Sequence, residues 1–394
     1  MTVKSKDKKT VVATPPVQPL IQGRVDAVLG GGFSLAVAII VIIGGALSES
    51  KTDWALGFVM AWLFTDLLIN SPHFIASYRI LYSNKKNIAK HPFVTVAIPI
   101  LGLSLLAYVC YWGPLNISPE ATSAVQADNP LQAAPANIPQ PYVMMVLTLL
   151  APVLLGWHYT GQSWGTTACF AYLAGFRMNP SQRKLIRFGF LALFAYHLTW
   201  ACAAMKIMEQ LFPQQRAGEF MISALMSACR VLVLASFFAG LLGFFQLAKE
   251  HQRRIPAAVW LPWVATYSWY VMVDVYPQSF FLLQIFHALQ YLMFPARVEM
   301  NEHRQAQTGT SIWSGTGKHM LVYYGVLVVV GYLAFEWASL LEWTDLTNQS
   351  GTMVLLGAAT VMYINIHHYF IDAVIWKIRE PEVRESLFGH LEPH

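Results

Sequence analysis

The chain has 394 residues, of which 56% are hydrophobic and 12% charged, and its mean hydropathy is +0.45. These proportions exclude an ordinary soluble globular domain. The net charge of +5 does not indicate a nucleic-acid partner, because the basic residues lie between apolar runs, where membrane topology and anionic lipid account for them.

Apolar runs follow one another along most of the chain. A helix needs about 20 apolar residues to cross roughly 30 Å of hydrocarbon, and ten runs meet this length: 27–48, 54–76, 93–112, 142–164, 185–206, 219–248, 257–275, 277–297, 320–343 and 352–376. They lack the alternation of barrel strands, so helices are the expected form. The sequence therefore predicts an all-α integral membrane protein, a polytopic bundle of about ten transmembrane helices over 27–377.

The segments outside these runs are polar. Residues 1–26 are expected to form a basic N-terminal tail and residues 378–394 a C-terminal tail. Residues 113–141 are rich in Pro, Ala, Asn and Gln, which predicts a flexible external loop. Residues 166–176 are expected either to continue the fourth helix or to form a separate interfacial piece.

The distribution of basic residues predicts the orientation. With the N-terminus inside, the outer loops hold only Lys51, Lys206 and Arg216 of the 26 Lys and Arg residues, and Arg230 lies within a helix. Basic residues accumulate on the cytoplasmic side. Both tails are therefore expected to be cytoplasmic, and a bacterial inner membrane is the expected location.

Histidine is the most informative residue type, because it is rare in hydrocarbon and usually marks a functional site there. Six of the 12 histidines fall in loops, in the tail or at a helix end: His91, His251, His303, His319, His390 and His394. The other six fall within spans: His73, His158, His197, His287, His367 and His368. All of the latter except His197 lie on even-numbered spans, and we expect these five to share one layer in the cytoplasmic half.

Neutral imidazole is the commonest ligand for iron, copper and zinc, and its second nitrogen normally donates to an orienting partner. Polar neighbours at helical spacing accompany each predicted ligand. The predicted metal ligands are His73, His158, His287, His367 and His368. The predicted orienting residues are Asp66, Asn70, Gln162 and Gln290, and Tyr291 and Asp372 are the candidate catalytic residues. Interhelical hydrogen bonds are the structural alternative for these clusters.

Arg230 is the one basic residue within a span. A buried unpaired arginine is costly, so it is expected to form an ion pair with Asp66, Asp274 or Glu336, or to anchor an anionic group of a substrate.

The order of the motifs resembles that of the Brp/Blh-type β-carotene dioxygenases, membrane enzymes that use histidine-bound non-haem iron. Pro72-His73 matches their first element, His158-Tyr159 the second, His287 the third, and His367 with Asp372 the last. The chain departs from that pattern by having Ser77 and Ser163 in place of acidic residues. The resemblance implies that His73, His158 and His287 bind iron. The family's fourth ligand position falls on Tyr291, so the fourth ligand is expected to be His367 or His368, or Tyr291 as a phenolate, unless the metal is absent.

Three functions are compatible with these patterns. The leading hypothesis is a membrane oxygenase with Fe(II) or another transition metal, acting on a lipophilic substrate such as a carotenoid or lipid. The first alternative is a proton-coupled transporter that uses Asp66, His73, Arg230, His287, Glu336 and Asp372. The second is a membrane haem protein with two histidine ligands, for which His158 and His287 are the candidates.

Overall fold

A computed structural model describes residues 18–83, 85–116, 141–206, 215–306, 315–343, 350–378 and 380–391. Within these ranges the secondary structure is helical, which confirms the predicted all-α polytopic bundle. Most of the predicted external loop 113–141 and of the predicted N-terminal tail lies outside the described residues.

A long helix corresponds to each of the ten predicted runs. These are α1 (Gly23–Leu47), α2 (Lys51–Thr65, Asp66–Asn70 and Ser71–Ser83 in succession), α4 (Phe93–Ala97 and Ile98–Asn116), α5 (Tyr142–Leu173), α6 (Pro180–Ala204), α7 (Gln215–His251), α8 (Ala257–Val275), α9 (Phe280–Ala306), α10 (Gly315–Trp343) and α11 (Ser350–Ile375). The short helices α3 (Lys85–Lys90) and α12 (Pro381–Phe388) complete the described set. Helix α5 extends to Leu173 without a break, so residues 166–176 largely continue the fourth helix.

Helix α8 differs from the other nine long helices, which are apolar enough to span a membrane in the described part of the chain. Four of its buried side chains are aromatic and carry a polar group: Trp263, Trp269, Tyr267 and Tyr270. These residues lower its hydropathy, but they pack between α1, α5 and α6 at the centre of the largest core cluster. Helix α1 crosses it closely at Gly31, where a Cβ atom would lie 2.5 Å from the Leu261 carbonyl oxygen.

The segments predicted to be cytoplasmic meet at one end of the bundle. Asn179 caps α6 and donates to Glu250 at the end of α7 over 3.0 Å. Asn301 of α9 donates to the carbonyl of Ser386 in α12 over 2.9 Å. Leu387 and Phe388 of α12 are buried. The C-terminal segment is therefore packed onto the bundle instead of forming a separate tail.

Arg230 forms its ion pair with Asp274, one of the three predicted partners. Its Nε donates to Oδ2 over 3.0 Å and its Nη2 to Oδ1 over 2.7 Å. This fork geometry matches a planar guanidinium to a carboxylate. The charge of Arg230 is thereby balanced between α7 and α8.

Candidate metal centre

Four imidazoles from four helices converge in the bundle interior. They are His73 of α2, His158 of α5, His287 of α9 and His368 of α11, and all four are buried. Ring centroids are 4.6 Å apart for His158 and His287, 4.8 Å for His73 and His368, 4.9 Å for His158 and His368, and 5.2 Å for His73 and His287. The expectation of a shared layer is met by these four residues.

A π-helical turn over Asp66–Asn70 precedes His73 in α2. Wide turns of this kind occur frequently at functional sites. The Nδ1 of His73 donates to the Asn70 backbone carbonyl at the end of the turn. This bond fixes the ring tautomer and leaves Nε2 as the nitrogen available to a metal.

Two other π-helical turns supply carbonyl acceptors in the same way. In α1 the turn Val28–Gly32 contains Gly30, whose carbonyl accepts a 2.7 Å hydrogen bond from Gln290 Nε2. In α4 the turn Phe93–Ala97 contains Val94, whose carbonyl accepts a 2.8 Å hydrogen bond from His367 Nε2. The carbonyls of these two wide turns thus accept hydrogen bonds from Gln290, on the helix that carries His287, and from His367, next to His368.

The cluster has the nitrogen atoms that a metal ion requires. Ligand atoms of His73, His287 and His368 lie within 4.8 Å of one another, and so do those of His158, His368 and Asp372. His73 Nε2, His287 Nδ1 and both ring nitrogens of His368 are buried and have no hydrogen-bond partner among the described residues. Buried polar atoms are normally paired, so these unpaired nitrogens fit a bound transition metal and would provide its ligands.

Asp372 adds negative charge at the edge of the cluster. Its Oδ2 lies 3.4 Å from His368 Nε2 and 3.7 Å from His158 Nε2. Its Oδ1 accepts hydrogen bonds from Tyr291 over 2.9 Å and from Ser77 over 3.0 Å. A buried carboxylate is costly without a compensating charge, and a metal cation among these imidazoles would supply one.

Tyr291 lies beside the cluster and binds Asp372. Its ring centroid is 5.6 Å from that of His73 and 5.6 Å from that of His368. Its hydroxyl donates to Asp372 and accepts a 3.1 Å hydrogen bond from Trp376 Nε1. His368 therefore provides the fourth imidazole, which the sequence pattern had left at Tyr291.

The predicted orienting residues act mainly through the backbone. Gln162 Nε2 donates to the His287 carbonyl over 3.0 Å. Gln290 bridges Gly30 to Ser163, whose hydroxyl lies 3.3 Å from Gln290 Oε1.

Asp66 lies one step further from the cluster. Its carboxylate accepts a 2.7 Å hydrogen bond from the side-chain amide of Asn70, and the Asn70 carbonyl in turn accepts from the His73 ring. In these hydrogen bonds, Asp66, Gln162 and Gln290 do not contact the ring of a clustered histidine. Asn70 does, because its carbonyl accepts from the His73 ring.

His367 does not join the cluster, although it was predicted as a ligand. Its Nδ1 lies 2.9 Å from the Tyr78 hydroxyl and its Nε2 bonds Val94. Adjacent residues of a helix point about 100° apart. His367 therefore faces Tyr78 and Val94, while its neighbour His368 faces the cluster. His197, the one span histidine outside the predicted layer, has its Nδ1 3.1 Å from the Tyr270 hydroxyl.

A cavity of about 460 Å³ lies between α5, α9 and α11 and reaches His158 and Asp372. Trp157, Phe294 and Tyr369 contribute aromatic walls. Gly161 and Gly165 of α5 also line it, and a Cβ atom on either would meet nothing within 4 Å. These glycines were not predicted as cavity residues, although both follow His158 at near-helical spacing.

A haem between His158 and His287 would require these rings to move apart. Their Nε2 atoms are 3.1 Å apart, whereas two imidazoles on opposite sides of one ion place their nitrogens about 4 Å apart, with the porphyrin between them. These two rings are thus packed too closely to hold a macrocycle between them.

Comparison with known proteins gives no relative: no family model, curated protein or solved structure matches this chain. The described helices and the buried histidines are those of a multi-pass membrane protein with a cluster that could bind a metal ion.

Proposed function

We propose that this chain is an integral-membrane metalloenzyme that oxidises a lipophilic substrate at the histidine cluster, with Fe(II) as the metal. The observation that carries the proposal is a cluster of four buried imidazoles, one of which, His158, lines an aromatic-walled cavity together with Asp372. Cavities of this size, mostly apolar with a few convergent polar groups, are typical of small-molecule sites.

The residues of the cavity divide into two groups. Trp157, Phe294 and Tyr369 pack against an apolar chain, while His158 and Asp372 lie where the chain meets the cluster. Iron held by imidazoles with one position open supplies the activation of dioxygen. The Tyr291 hydroxyl donates a hydrogen bond to Asp372 Oδ1 over 2.9 Å and so orients that carboxylate beside the cluster.

The resemblance to the Brp/Blh-type β-carotene dioxygenases favours carotenoid cleavage as the reaction. As that resemblance implies, His73, His158 and His287 would bind the iron. His368 would be the fourth ligand. Lipid hydroxylation is the second reaction that the same site would support, since a cavity beside the bilayer favours substrates that partition there.

The test begins with the metal. The protein is purified in detergent from iron-supplemented cells, and its metal content and visible spectrum are compared with those of His73→Ala and His287→Ala. We expect stoichiometric iron without a haem band in the wild type and its loss in both variants. The iron-loaded protein is then incubated with β-carotene or with acyl lipids under oxygen, and the products are identified by mass spectrometry.

Two outcomes would contradict the proposal. A folded wild-type protein without bound metal would favour the proton-coupled transporter, which proton-driven uptake into vesicles would then test. A haem absorption band that disappears in His287→Ala would favour the haem protein instead.

A further inference from the structure

A second cavity, of about 470 Å³, forms a groove that none of the four clustered histidines lines. Helix α8 forms its floor, and α1 and α7 form its two sides. Its apolar lining includes Leu35, Ile42, Val233, Phe237 and Val271. The side chain of Val271 is half exposed, so the groove opens towards the surface that faces lipid.

One end of the groove is charged. The ion pair of Arg230 and Asp274 lies there, and the Tyr196 hydroxyl donates to Asp274 Oδ1 over 2.6 Å. Arg230 uses Nε and Nη2 on Asp274, and its Nη1 makes no hydrogen bond within the described part of the chain. A guanidinium has five N–H groups, so three remain for a ligand. The Arg230 side chain is 53% exposed.

The depth of this pair follows from helix geometry. At 1.5 Å per residue, Arg230 lies about 29 Å along α7 from Lys249, which is in the basic end of that helix. Asp274 lies about 26 Å along α8 from Ala257, which follows the same basic loop. Hydrocarbon is roughly 30 Å thick. The pair therefore lies close to one hydrocarbon thickness from the basic end, near the opposite end of α8.

We propose that this groove is a binding site for a glycerophospholipid. One acyl chain lies along the apolar lining, and the phosphate accepts hydrogen bonds from the unused N–H groups of Arg230. Arginine suits this role because its planar fork binds phosphate in a bidentate manner. Asp274 holds the guanidinium in place and Tyr196 holds Asp274, so the donor edge is preorganised.

Charge and shape together select this ligand. A sterol or hydrocarbon would fill the apolar lining but leave the N–H groups of Arg230 without an acceptor. Free phosphate would bind Arg230 but leave the groove empty. A phospholipid satisfies both parts at once.

The test is lipid retention measured by native mass spectrometry, after extraction from nanodiscs containing phosphatidylethanolamine and phosphatidylglycerol. Arg230→Gln removes the phosphate donors, and Val233→Trp fills the groove. Val231→Trp is the matched control, because Val231 is 68% exposed and does not line the groove. We expect one retained phospholipid in the wild type and the control, and at least a tenfold lower retained fraction in the other two variants.

Equal retention in all four proteins would overturn the proposal. So would displacement of the signal by inorganic phosphate alone, which would indicate an anion site without a chain. Metal content is measured on the same samples and is expected to be unchanged, so failure here is distinguishable from failure of the proposed enzyme function.

Discussion

His367 and His368 are adjacent in α11, but replacing them should affect metal binding differently. In His368→Ala the cluster loses a ring whose two nitrogens have no hydrogen-bond partner in the structure. In His367→Ala it loses none of its four rings, because His367 bonds Tyr78 and Val94 instead. We therefore expect His368→Ala to lose its metal and His367→Ala to keep it.

The size of each effect follows from these contacts. Changing a residue that only orients a ligand lowers metal affinity by about 10- to 100-fold. Removing a ligand should exceed that range, so the Kd of His368→Ala should rise more than about 100-fold, which corresponds to about 2.8 kcal/mol. His367→Ala instead removes a hydrogen bond to the buried Val94 carbonyl, at a cost of about 0.5–1.5 kcal/mol in stability.

Two measurements separate these effects. Chelator competition gives the metal Kd, and thermal unfolding in detergent, on metal-free protein, gives the stability. The reasoning is refuted if His367→Ala loses metal as readily as His368→Ala, or if His368→Ala keeps wild-type affinity while remaining folded.

Three further predictions concern the cavity, a helix cap and the carboxylate. Gly161→Leu should reduce turnover of a lipophilic substrate at least tenfold with metal content unchanged, whereas Gly57→Leu, which also has open space around its Cβ position, should have no effect; equal activities would show that the cavity holds no substrate. Asn179→Ala removes a capping box and should cost about 1 kcal/mol, seen as a lower unfolding midpoint with metal retained. Tyr291→Phe removes a hydrogen bond to Asp372 and should weaken metal binding by about 10- to 100-fold in chelator competition; unchanged affinity would mean that this bond does not orient the site.

The sequence predicted the helices better than their ends. Apolar runs longer than the hydrocarbon thickness give the number and order of the spans directly. The ends extend further, as in α7, which reaches from Gln215 to His251, because amphipathic and polar turns continue a helix beyond the apolar run. The packed α12 was missed, since eight residues of mixed polarity carry no span-length signal.

The common layer of the four clustered histidines was also predictable, because their positions along each helix relative to the basic end are similar. The rotation of each side chain about its helix was not. Asp66, Asn70 and His73 fall on one face of a regular helix, but the π-helical turn over Asp66–Asn70 adds a residue to that turn and rotates the rest of α2 about its axis. Asn70 consequently meets the His73 ring through its carbonyl rather than its side chain.

The same limit explains why His367 and His368 could not be told apart from sequence. They occupy the same depth and differ only by about 100° of rotation, so the neighbouring helix decides between them. The π-helical turn of α4 presents the Val94 carbonyl to His367, and His368 is left facing three other imidazoles and Asp372. A carbonyl that accepts from one histidine thus fixes the rotation of the helix that carries the other, so α4 supports the histidine cluster without adding a side chain to it.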